Sequence, residues 1–338
     1  MKILVTGAAS GLGRNATEWL LAKGHQVIAT GRDLRQGKEL VQRGAEFHFI
    51  DLDYATPAEY LSLVKGCEAV WHCAAKSSPW GSESSFMVTN VQVTDRLAYA
   101  AGQAGVPRFV HISTPAIYFD FSHHTDIDED FRVRRFANYY AKSKFIAEGH
   151  IQQRQQQFPQ THFTILRPRG LFGPHDRVIV PRVLQQIRQQ KGVLRLPRGG
   201  DALLDLTFSL NVVEAMWLAT IQEALPAGAA YNITNHQPQP LKVMLRQLLG
   251  EHLGIDFNIK NVAYPLLYSL AASMEMVARF NQKEPMLTRY SVAAVNFDMT
   301  LSQTRASSEL KYQPVYSLDE GIALTAKAMQ QNKRGFNG

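Results

Sequence analysis

Cysteine is nearly missing from this 338-residue chain, which has only Cys67 and Cys73. Two thiols make neither a disulfide framework nor a metal quartet, and their scarcity fits a reducing compartment. Long apolar runs are missing too. No stretch approaches the roughly 18 apolar residues that a membrane span needs. The apolar start, Ile3 to Val5, is too short for a signal-peptide core, and glycines follow at once. A cytoplasmic, soluble protein is the expectation. No internal repeat is present. Lys and Arg number 36 against 29 Asp and Glu, a formal charge of +7. No nucleic-acid motif accompanies that charge, so an anionic cofactor or substrate is the better reason for it. With 45% hydrophobic and 19% charged residues, the composition is that of a globular chain large enough to bury its core unaided.

What the sequence does have is rhythm. Apolar runs at 2–6, 25–30, 46–50, 69–72, 108–112 and 161–166 read as strands. Helical spacing over 15–23, 34–43, 60–64, 91–102 and 138–157 alternates with them. This implies βαβ units and a doubly wound parallel sheet of the Rossmann type. After Arg167 the pattern loosens around Pro174, Pro181, Pro197 and Gly199-Gly200. A last strand is expected at 230–234. The division predicted is a dinucleotide-binding domain over 1–170, rejoined by about 203–235. A smaller, mostly helical substrate lobe would take 171–202 and 236–338.

The first strand runs into Thr6-Gly7-Ala8-Ala9-Ser10-Gly11-Leu12-Gly13, and a helix follows. Glycines at this junction allow a tight turn, close approach of a pyrophosphate and close helix packing. The helix N-terminus would offer N–H groups to phosphate. At the end of the second strand, Thr30-Gly31-Arg32-Asp33, glycine stands where an NAD site usually has its acid. Arg32 follows and suits a 2′-phosphate, so NADP(H) is favoured over NAD(H). Asp33 is the residue that would serve NAD instead.

Tyr140 and Lys144 lie at i and i+4 on the long predicted helix, on one face. A phenol with an ordinary pKa near ~10 is a poor base at neutral pH, and a neighbouring ammonium favours its anion. Such a pair can exchange a proton with a carbonyl or carbinol while a cofactor exchanges hydride. Tyr139 has only Ser143 at i+4, which selects Tyr140. The fifth strand ends in Ser113-Thr114 at the ligand-binding edge, and either hydroxyl qualifies as the partner of Tyr140.

Together these residues resemble the extended short-chain dehydrogenase/reductase family, over nearly the whole chain. The likeness extends to Asp51-Leu52, His72-Cys73-Ala74-Ala75, Asn90, Arg167-Pro168 and Phe172-Gly173-Pro174. It implies cofactor contacts from Gly7, Ser10, Gly11, Leu12, Gly13, Arg32, Asp51, Leu52, Cys73, Ala74, Ala75, Asn90, Tyr140, Lys144 and Pro168. Counting from Tyr118, which matches the tyrosine of a family motif, the catalytic hydroxyl falls on Thr114, with Ser113 beside it. Within the family the chain is similar to the 3β-hydroxysteroid dehydrogenase/isomerase-like branch, especially bacterial 2-alkyl-3-ketoalkanoate reductases. That similarity rests on Ala74-Ala75-Lys76, Trp80-Gly81-Ser82, Ser113-Thr114-Pro115, Arg167-Pro168-Arg169 and the stretch from Pro285 to Arg289. Ser10, Phe119 and Leu210 depart from common family residues.

The resemblance implies hydride transfer between NADP(H) and a ketone or secondary alcohol. Lys76, Trp80 and Arg169 are the substrate-side candidates. Arg177 and Arg289 are further cations for an anionic group, and Phe86, Phe119 and Phe121 further apolar lining. A sugar-nucleotide epimerase or dehydratase is the alternative; Pro115-Ala116 replaces the acidic pair that dehydratases carry after the threonine. A non-catalytic dinucleotide sensor would typically have lost Tyr140 or Lys144. His123, His124, Asp126, Asp128, Glu129 and Asp130 lack metal-ligand spacing, so a solvated loop and no metal are expected. The segment 262–280 reads as a helix packed on its own lobe, with peripheral membrane contact as an open alternative. Small-molecule substrate, no nucleic acid and a homodimer complete the expected partners.

Overall fold

The computed structural model describes residues 1–176, 179–281 and 283–334. A seven-stranded parallel sheet organises them. Its strands are β1 (Lys2–Thr6), β2 (Gln26–Gly31), β3 (Glu46–Phe49), β4 (Ala69–His72), β5 (Arg108–Ile112), β6 (His162–Pro168) and β7 (Ala230–Ile233). The spatial order is β3-β2-β1-β4-β5-β6-β7. Strand order therefore reverses between β1 and β4, the point where such sheets open a crevice at their carboxyl edge.

The helices α1 (Gly11–Ala22), α2 (Leu34–Gln42), α3 (Pro57–Val64), α4 (Val93–Gln103), α5 (Tyr139–Gln157) and α6 (Ser209–Ile221) cover the sheet. Side chains alternate along β1, so Ile3 and Val5 join one core layer with Leu20 of α1 and Met216 of α6. Leu4 joins the other layer, with Leu63 of α3, Leu97 of α4 and Ile151 of α5. Burial on both faces explains why β1 reads as an unbroken apolar run.

The chain returns to the sheet through α6 and β7, which pairs in parallel with β6, Ala230 opposite Ile165. The C-terminal lobe packs the helices Ile179–Gln189 and Leu318–Arg334 around a core that includes Leu194, Leu245 and Leu248, while α7 (Tyr264–Asn281) packs separately, Leu267 and Ala271 against Val292. The segment containing His123 to Asp130 corrects the expectation of a solvated loop. His124–Ile127 is a strand beside Met299–Leu301, in a four-stranded second sheet. His123 meets Asp298 at 3.0 Å and His124 meets Asp120 at 2.9 Å. No group of three metal-ligating side chains gathers among the described residues.

Candidate active site

The turn between β1 and α1 is built around missing side chains. Gly7 has φ +67°, and a Cβ there would lie 2.9 Å from the Ala74 backbone. A Cβ on Gly13 would lie 2.3 Å from the Gly7 carbonyl oxygen. The bare backbone forms the floor of a cleft of about 590 Å³. Around it stand Ser10, Gly11, Leu12, Arg32, Asp51, Leu52, Cys73, Ala74, Ala75, Ser113, Thr114, Tyr140, Lys144 and Pro168. The first turn of α1 carries no acidic residue, which leaves its positive end open to an anion. The segment after β6 closes on this turn. Gly11 N–H donates to the His175 carbonyl at 3.1 Å, and Asn15 Nδ2 donates to the Pro174 carbonyl at 2.7 Å.

At the β2 end, Arg32 is exposed and its Nη1 stands 3.4 Å from Asp51. Asp33 caps α2, accepting from Gln36 N–H at 3.1 Å. Gly31 leaves no room for an acid: a Cβ would lie 2.9 Å from the Ala9 methyl.

Tyr140, Lys144 and Glu148 follow one another at i, i+4 and i+8 along one face of α5. Tyr140 has Thr114 as its side-chain hydrogen-bond neighbour, and burial pushes its phenol up to about 12. This corrects the sequence expectation of a phenol lowered by Lys144. The ammonium faces elsewhere, donating to the Ile112 carbonyl at 2.6 Å and to His111 Nε2 at 3.2 Å. Burial brings Lys144 down to about 8. His111 is neutral here: burial, and then the Lys144 charge, hold it well below its ordinary range. Ser113 is committed differently from Thr114. Its hydroxyl donates to Glu148 at 2.5 Å. Glu148 also accepts from Arg167, at 2.9 Å from Nε and 2.6 Å from Nη2. The sequence reading singled out neither Glu148 nor the Arg167 pairing. The i+8 spacing from Tyr140 was the available signal.

A second, wider cleft of about 1900 Å³ lies beyond the first turn of α5. Lys76, Trp80, Phe86, Phe121, Tyr139 and Arg289 line it, together with Tyr290, which the sequence reading passed over. The Lys76 ammonium bonds Ser85 at 2.7 Å and lies over the Phe86 ring. Three candidates fall outside both clefts. Asn90 is buried behind the wall, its amide donating to the Lys76 carbonyl and Ser143 and accepting from Lys76 N–H. Arg169 turns toward the second sheet, with Nε donating to the Met299 carbonyl at 3.2 Å. Phe119 packs in an aromatic cluster with Tyr290 and Phe297. Arg177 lies outside the described residues.

A dinucleotide fits what is present here: a bare-backbone turn, an acid-free helix start and a cleft that runs from Arg32 to Tyr140. The model of the NAD dependent epimerase/dehydratase family matches residues 3–234. The chain belongs to that family. An uncharacterised Escherichia coli protein, YbjS, is 50% identical, with 96% of this chain and 97% of that protein aligned. The 2-alkyl-3-oxoalkanoate reductase of Stenotrophomonas maltophilia is 33% identical over 95% of this chain and 97% of its own. The mouse sterol-4-alpha-carboxylate 3-dehydrogenase (decarboxylating) is 26% identical over 98% and 92%. Among solved structures, the UDP-glucuronic acid 4-epimerase of Bacillus cereus superposes with a TM-score of 0.76 at 19% identity, covering 98% of this chain and all of that one. That likeness concerns the fold. No helix among the described residues is long and apolar enough to cross a membrane.

Proposed function

We propose that this member of the family is an NADP(H)-dependent reductase of a ketone on an apolar substrate that also bears an anionic group, such as a β-keto acid. The observation that carries the reading is the buried Tyr140 phenol beside Thr114, protonated at neutral pH as an ordinary phenol is and pushed higher still by burial. A protonated phenol is the state that carbonyl reduction consumes. Gly7, Gly11, Leu12, Gly13, Arg32 and Asp51 are the residues to hold the dinucleotide, with Lys144 and Pro168 at its nicotinamide end. The dinucleotide, when bound, supplies the hydride. Tyr140 gives its proton to the carbonyl oxygen, which becomes the carbinol hydroxyl. Thr114 hydrogen-bonds that oxygen, and the Lys144 ammonium would bond the nicotinamide ribose. Ser113 acts at one remove, because its hydroxyl belongs to Glu148.

The wide cleft supports the substrate class. Aromatic side chains alternate in it with Lys76 and Arg289, a lining suited to an apolar body with a carboxylate. The names of the S. maltophilia and mouse relatives also describe substrates with a carboxylate. NADPH oxidation over a panel of β-keto acids, ketosteroids and sugar nucleotides tests the reading. Turnover is expected with a long-chain β-keto acid or a ketosteroid. Turnover confined to sugar nucleotides would overturn it.

The cofactor preference has its own test. NADPH is expected to bind more tightly than NADH in a fluorescence titration. Arg32→Ala should weaken NADPH by about 10-fold or more, the worth of a charge-assisted hydrogen bond, and leave NADH nearly unchanged. Equal affinities in the unaltered protein would refute the use of Arg32.

A further inference from the structure

Helix α7 has two apolar faces where a surface helix needs one. Leu267, Ala271 and Ala278 pack inward, with Glu275 bound to Arg289 at 2.8 Å. On the opposite side Leu266 is 65% exposed, Leu270 50%, Met276 62%, Val277 60% and Phe280 86%. These recur at helical spacing, so they form one stripe, with Ser269 and Ser273 between them. No charged side chain interrupts the stripe. Isolated exposed apolar residues are ordinary, but a row of five on one face calls for a partner.

The unpaired charge beside the stripe is positive, since the neighbouring carboxylates Glu275 and Glu284 are bound to Arg289 and Arg182. Arg279 flanks the stripe and also lines the wide cleft, where Arg134 and Arg135 stand. None of the three makes an ion pair among the described residues. Lys283 is exposed just past the helix end. A second copy docking by two-fold symmetry would bring the same cations together across the contact, which disfavours a self-interface. An anionic bilayer surface satisfies both features, taking the stripe into its acyl boundary and the arginines at its headgroups.

We propose that α7 docks the protein on anionic membranes, lying in the interface through Leu266, Leu270, Met276, Val277 and Phe280. The same helix contributes Tyr268, Glu275, Ala278 and Arg279 to the wide cleft, so docking sets the cleft mouth at the lipid surface. That an apolar substrate would enter the cleft from lipid rests on the reductase reading; the docking does not.

Vesicle co-sedimentation of the full chain decides it without measuring turnover. The protein is expected to sediment with phosphatidylglycerol-containing vesicles and to stay in solution with pure phosphatidylcholine. The double variant Leu270→Glu, Val277→Glu should lose binding by about tenfold or more, because it removes apolar insertion and adds repelled charge. Circular dichroism of the variant checks that it folds. Arg279→Gln, which keeps the stripe, should weaken binding to the anionic vesicles. Absence of sedimentation with anionic vesicles, or equal sedimentation of the double variant, overturns the proposal. A concentration-dependent dimer abolished by the double variant would assign the face to a second copy and overturn it as well.

Discussion

Tyr140→Phe is expected to abolish turnover while leaving cofactor affinity largely intact. The substitution removes one hydroxyl and keeps the ring that packs near Phe86, with centroids 6.4 Å apart. The loss is chemical: without the phenol, no positioned acid delivers a proton to the carbonyl oxygen. Positioned acids are worth about 10²–10⁴-fold in rate, and the variant should fall by at least that much. Steady-state NADPH oxidation together with a cofactor titration checks it, and unchanged turnover would sink the assignment. The pH profile separates Tyr140 from Lys144. Lys144 is held down to about 8 by burial, so its ammonium is present below that pH and lost above it. With Tyr140 at about 12, the phenol stays protonated across the same range. The kcat/KM for reduction should therefore decline above about pH 8, approaching tenfold per pH unit, because the free enzyme loses the Lys144 charge.

The largest structural penalty is expected from Glu148→Ala. Glu148 and Arg167 are both nearly inaccessible, with exposures of 5% and 4%. Arg167 also donates to the Glu129 carbonyl at 2.9 Å and to Tyr118, whose hydroxyl donates in turn to Asn232 at 3.0 Å. Deleting the carboxylate strands a buried guanidinium and frees Ser113. Breaking one side of such a pair costs about 3–5 kcal/mol. Thermal unfolding should show a drop of roughly 5–10 °C in Tm. A change of less than one degree would mean that the network carries no such weight. Ser113→Ala removes only the neutral partner and should cost far less. Comparing the two variants separates a structural role for Ser113 from a catalytic one.

How much was legible follows from the range of each interaction. The βα rhythm, the glycine turn and the Tyr140–Lys144 spacing are local, and the structure has them where periodicity put them. Helix α6 gave no periodic signal. Ser209, Val212, Val213, Ala215, Met216 and Ala219 are all buried, and a helix buried on several sides shows no single apolar stripe. His124–Ile127 reads as a polar loop until Met299–Leu301, far along the chain, supplies its partner strand. Asn90 came from the family resemblance and Arg169 from its place directly after a motif at the cofactor edge. The fold instead brings the Lys76 backbone and Ser143 to the Asn90 amide, and the Met299 carbonyl to Arg169 Nε. The same holds for Ser113 and Thr114, which are equal as neighbours in sequence. Glu148 on α5 separates them.

Gly31 has one more consequence, for redesign. An acid to bond the ribose hydroxyls of a dinucleotide would enter as an aspartate at position 31, at the β2 end. Its Cβ would press on the Ala9 methyl at 2.9 Å and come within 3.6 Å of the Phe47 ring. Placing a carboxylate there is thus a coupled two-position problem, in which Ala9 is trimmed to glycine before any acid is added.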